Sequence, residues 1–161
     1  MSISGDGFHE RMQALSDIVG GMATVSREYD ADIRRYCTGG SATWQHVSLF
    51  MMASGHAEAI RLAAQTIDGI AAHERAVSLL EVESDPASAY ASVLRMAQQA
   101  GKMNLALAQF RNTVIGGEQT SESVRLAEAA NGIFEQAYND HVARQCEEEP
   151  SSDGGDQGSP A

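Results

Sequence analysis

One spacing rule governs most of this chain: apolar residues recur at alternating intervals of four and three between strong breakers. That alternation averages 3.5 residues and keeps side chains along one side of an α-helix, the pattern of a helix–helix seam. A half-buried strand would need period two, and no stretch shows it. Three breakers divide the chain: Thr38-Gly39-Gly40-Ser41, Ser84-Asp85-Pro86 and Gly116-Gly117. Asp85 is a good N-cap and Pro86 suits the first helical position. Gly116 and Gly117 suit a helix end that needs positive φ.

The spacing therefore predicts four helices, at about 7–36, 41–83, 86–115 and 121–146. The first carries Phe8, Met12, Leu15, Val19, Met22, Tyr29, Ile33 and Tyr36 on its stripe, with Ser26 the one polar intruder. The second carries Phe50, Ala53, Ala57, Ile60, Ala64, Ile67 and Ala71, with candidate breaks near Gly55 and Gly69. In the third the stripe is uninterrupted: Ala89, Val93, Met96, Ala100, Met103, Leu107, Phe110 and Val114. The fourth places Leu126, Ala130, Ile133 and Ala137 on a stripe flanked by Phe134 and Tyr138. Long amphipathic helices joined by short connections give an all-α fold, an antiparallel bundle of about four long helices or helical hairpins.

Size and composition fit that reading. A chain of 161 residues with 43% apolar content has room for one packed domain, expected over 1–146. After Glu147 the sequence is acidic and almost without apolar side chains, so 147–161 is expected to be a disordered acidic tail. No run of about 20 apolar residues exists to span a membrane. The formal net charge of −11 opposes binding to a nucleic-acid phosphate backbone. Residues 117–161 carry ten acids and two bases, whereas 85–116 carry one acid and three bases. The third segment is thus the least acidic part of an acidic chain, as expected of a helix buried on more than one side. Before Arg11 there is no basic residue, so no Sec-type signal is read. The expected location is the cytoplasm, or outside it by a route without a cleaved Sec signal.

Catalytic chemistry finds little support in the residues. No nucleophile elbow, Walker loop or dinucleotide fingerprint occurs, and the glycine pairs read as turns. His73-Glu74 begins a zinc-protease pattern, but Val77 stands where the second histidine belongs. Cys37 and Cys146 fall at opposite poles of an up-down bundle and read as free thiols. The expectation is a non-enzymatic protein with no catalytic residue, metal or cofactor. Met51 and Met52 beside Phe50 and Trp44 cannot all be buried by one helix, which marks a contact surface.

Residues 84–115 read SDPASAYASVLRMAQQAGKMNLALAQFRNTVI. With Ser84-Asp85-Pro86-Ala87 at the helix start, then Asn104-Leu105 and Asn112-Thr113-Val114, this stretch resembles the C-terminal helix of type III secretion needle and inner-rod subunits. The resemblance covers 32 of 161 residues. The chain departs from that family in a longer proline-to-asparagine spacing and in continuing well past the helix. It implies a subunit exported without a cleaved signal that polymerises through long helices. The residues expected to make protein contacts are therefore Trp44, Phe50, Met51 and Met52, with Asn104, Arg111 and Asn112 in the third segment. The partner is a second copy of the chain, in a homo-oligomer or larger assembly, or another protein. Two other readings compete: a chaperone-like or adaptor module with a groove near Trp44 to Met52, and a small metal- or ligand-binding bundle using His46, His56 and His73.

Overall fold

A computed structural model describes residues 5–39 and 43–148, with side chains described from residue 7 onward. Among these residues there are four α-helices and no strand: α1 (Gly5–Thr38), α2 (Trp44–Leu79), α3 (Pro86–Ile115) and α4 (Glu118–Glu148). Successive helices run antiparallel, as cross-helix contacts such as Ser54–Asp30, His56–Phe110 and Lys102–Glu135 show. The expected end of the helical domain at 146 is corrected: Glu147 and Glu148 continue α4. The rest of the tail expectation, 149–161, lies outside the described residues.

Helix boundaries follow local chemistry. Asp85 accepts a hydrogen bond from the Ser88 backbone N–H at 3.2 Å, with Pro86 leading the helix. Gly116 and Gly117 take φ of 71° and 110°, the region that side chains disfavour. At the start of α2 the cap is reciprocal: Thr43 Oγ1 accepts from the His46 N–H at 3.3 Å, and the Thr43 N–H donates to His46 Nδ1 at 3.4 Å. α2 also ends earlier than 83, at Leu79, where Glu81 turns the chain with φ of 53°. It runs unbroken through Gly55 and Gly69, both exposed. A glycine costs a helix about 1 kcal/mol relative to alanine, less than the neighbouring Ala53, Ile60, Ile67 and Ala71 gain by burial.

The stripes on α1 to α3 form the core. Met12, Val19, Ile33, Ile60, Ile67, Val93, Leu94 and Leu107 are fully buried. On α1 the stripe drifts: Tyr36 is 51% exposed while Cys37 is buried. A straight helix advances about 20° per heptad past a 3.5-residue repeat. The four heptads from Phe8 to Tyr36 are enough to swing the next residue inward. Ser26, the polar intruder, is fully buried and donates to Asn104 Oδ1 at 3.0 Å, joining α1 to α3 mid-bundle.

The helices are not equivalent. α1, α2 and α3 pack on one another, while among the described residues α4 packs along α3 only. α3 is the one helix in contact with the other three, and it carries a second buried stripe of Tyr90, Leu94, Ala97, Gly101, Asn104 and Ala108. A Cβ on Gly101 would come within 2.8 Å of Phe134 Cδ2, so this glycine is what lets α4 lie close. The expected α4 stripe is corrected by one residue. Ala127 and Phe134 are buried, whereas Leu126 and Ile133 are 63% and 67% exposed. Ala130 and Ala137 serve either stripe, and burying the Phe134 ring against Gly101 decides between them.

Candidate functional site

The residues expected to make contacts separate into two groups. Trp44, Met51 and Met52 stand outward at the start of α2, 82%, 63% and 50% exposed. Trp44 and Met51 are seven residues apart and so share one helical face, two turns apart. Tyr36, half exposed at the end of α1, meets the His46 ring edge-on at 6.2 Å and extends the same pole. Phe50 turns inward instead and packs against the core, with the Arg34 guanidinium 5.4 Å over its ring. Arg34 is held there by Ser54 at 3.0 Å, and Ser54 donates to Asp30 at 2.7 Å.

The three residues of the third segment do not lie on an open surface. Asn104 is buried and accepts from Ser26. Arg111 Nε donates to Asp32 at 2.9 Å, and the guanidinium lies 4.9 Å over the Tyr29 ring with little solvent exposure. Asn112 accepts from the Thr120 hydroxyl at 2.6 Å and the Ser121 hydroxyl at 3.3 Å, closing the α3–α4 turn. The Oδ1 atoms of Asn104 and Asn112 and the Arg111 guanidinium are thus engaged within the chain, which gives these three residues a structural role. A polar side chain on a mostly apolar helix reads in sequence either as an outward contact or as a buried partner. Only the position of Ser26 on the facing stripe hinted at the second.

The histidine set is also corrected. His46, His56 and His73 all lie on α2. At 1.5 Å per residue the first and last are about 40 Å apart, so they share no site. His46 caps its helix, and His56 stacks on Phe110 with centroids 6.1 Å apart. Among the described residues no group of three or more His, Cys, Asp or Glu side chains could hold a metal ion. Cys37 and Cys146 are both free, the first buried and the second exposed. Burial pushes the Cys37 thiol pKa up, which lowers its thiolate reactivity. No described helix is long and apolar enough to cross a membrane.

The reading from spacing placed Leu126 and Ile133 on the buried stripe of α4 and so missed the outer face of that helix. Its outer face carries Leu126 and Ile133, again seven residues apart, with exposed Ala129 and Gly132 between them. A Cβ on Gly132 would meet nothing within 4 Å. This is an apolar ridge with small residues beside it, on the helix that packs against a single neighbour. The one hint in sequence was Gly101, a lone glycine inside an otherwise strong helical pattern, which marks a close approach without saying which residue makes it. Comparison with family models, curated proteins and solved structures returns no match to this chain.

Proposed function

We propose that this chain is a non-enzymatic helical interaction protein that works by helix–helix association, with the outer face of α4 as its principal contact surface. The observation that carries the reading is the outward placement of Leu126 and Ile133 on a helix with one packing partner. In a closed four-helix bundle, aliphatic side chains at heptad spacing face a neighbour. Here they face outward, and the adjacent Ala129 and Gly132 leave room for a second helix to approach closely.

Self-association is the favoured form. Sedimentation velocity over a wide concentration range tests it. The wild type should gain mass with concentration, and Leu126→Glu with Ile133→Glu should abolish the gain while leaving helicity intact. A strictly monomeric wild type would remove the self-association form. The exposed pole of Trp44, Met51 and Met52 supports the adaptor form, in which another protein's helix docks at the start of α2. A type III secretion subunit is the sharpest version, and it rests on the likeness of residues 84–115. Filament formation by the purified chain, seen by electron microscopy, is its test.

A further inference from the structure

A cleft of about 510 Å³ opens at the pole where the start of α1, the start of α3 and the end of α4 converge. Ligand pockets commonly fall in the range of about 300–1,000 Å³. Arg11 stands at one side with its guanidinium fixed in place. Its Nε donates to the Gly7 carbonyl at 3.0 Å, and its central carbon lies 4.8 Å from the Phe8 ring centroid and 5.2 Å from that of Tyr90. The terminal nitrogens have no carboxylate partner among the described residues. Arg144 lines the cleft from α4 and is likewise without one. Two guanidinium groups without a carboxylate partner among the described residues thus stand beside one cleft.

His141 lines the same cleft, edge-on to Tyr90 at 5.4 Å, with its Nε2 buried and without a hydrogen-bond partner among the described residues. Asp140 and Glu148 complete the rim, and Asp140 already accepts from Gln136 at 2.7 Å. These two carboxylates disfavour a multiply charged ligand. The alanines Ala87 and Ala137 and the edge of Tyr90 offer an apolar wall. We propose that this cleft binds a small organic monocarboxylate, its two oxygens taken by the Arg11 fork, with Arg144 as the second cation and the apolar body against Tyr90. A guanidinium already oriented by two rings and a backbone carbonyl loses little freedom on binding, and its fork matches a carboxylate.

The probe is benzoate, titrated into the full chain while the His141 ring resonances are followed by NMR. Benzoate should give a saturable shift in the millimolar range and raise the His141 pKa, because a bound anion offsets the two arginines. Arg11→Gln and Arg144→Gln should each weaken binding at least about tenfold. Arg95→Gln, an exposed arginine outside the cleft, should leave it unchanged. Arg11→Lys keeps the charge without the fork and should also bind weakly. A circular dichroism spectrum unchanged from the wild type establishes that each variant folds. An absent or non-saturating shift overturns the proposal. So do equal shifts from benzamide, tighter binding of sulfate than of benzoate, or full affinity in well-folded Arg11→Gln.

Discussion

α3 and α4 are neighbours of almost equal length, 30 and 31 residues, yet α3 buries nine residues and α4 three. Both repeat apolar residues at helical spacing. The difference lies in how many sides are occupied: among the described residues α3 has three packing partners and α4 has one. An apolar stripe shows that a helix has a face to bury, but the number of such faces is set by the tertiary arrangement. Charge composition carried that information better than periodicity. The segment with one acid became the centre of the bundle, and the acid-rich fourth segment became its outer layer.

The largest expected effect contrasts the two helices directly. Leu107, fully buried on α3, should cost about 2–5 kcal/mol when changed to alanine, through lost transfer energy and an unfilled cavity. The matching change on α4, Ile133→Ala, should stay within about 0.5 kcal/mol, as for an ordinary surface site. Urea denaturation of the two variants at low concentration measures both. Equal costs would mean that α4 is as firmly packed as α3, and the contrast would disappear.

Ser26→Ala should rank next, at about 1–3 kcal/mol, because it leaves the buried Asn104 carbonyl without its donor. Recovery of stability in the double variant Ser26→Ala with Asn104→Leu would identify the missing bond as the cause, rather than the lost volume. If Ser26→Ala is silent, the polar link between α1 and α3 contributes nothing.

Gly101→Ala should be comparable or somewhat smaller, about 1–3 kcal/mol, since Phe134 must shift to admit the new methyl group. Its signature is local. Amides of α4 should lose protection in hydrogen exchange while those of α1 and α2 keep theirs. Uniform loss across all four helices would show that α4 is cooperative with the core.

These positions also show what could be read in advance. The stripes of α1, α2 and α3, the Asp85 cap and the positive φ at Gly116 and Gly117 follow from local spacing and residue type, and the structure has them. The direction in which α4 faces does not follow, because Ala130 and Ala137 fit two stripes equally and Gly101 sits on another helix. The same holds for Asn104, Arg111 and Asn112, whose partners Ser26, Asp32 and Thr120 are known only once the helices are side by side. The exposure of Trp44, Met51 and Met52 was legible because one helix cannot bury large side chains on all its faces.

The pH dependence that His141 contributes, near the end of α4, should be smaller. Burial holds the His141 pKa below its usual value, with Arg11 and then Arg144 adding to the effect and Glu148 opposing it. A histidine depressed in the folded state favours folding above its unfolded value of about 6.5, and that contribution is lost as the pH falls through the folded value. The wild type should therefore lose more stability between about pH 7.5 and about pH 5 than His141→Gln does. Parallel losses would place the titrating group elsewhere.

The smallest expected change in stability is also the one that bears most on function. Leu126→Ser and Ile133→Ser remove aliphatic surface that is already mostly in water, so dilute monomer should melt within a few tenths of a kcal/mol of the wild type. Serine lowers helix propensity slightly, which sets the sign of any residual loss. What should move is the concentration dependence of the melt. If the ridge on α4 is covered by another helix, the wild type gains stability as concentration rises, because association draws on the folded state alone. The serine variants should lose that gain and melt at the same temperature at every concentration. A wild-type midpoint independent of concentration would leave Leu126 and Ile133 as isolated surface residues, and α4 as an outer layer with no covering partner.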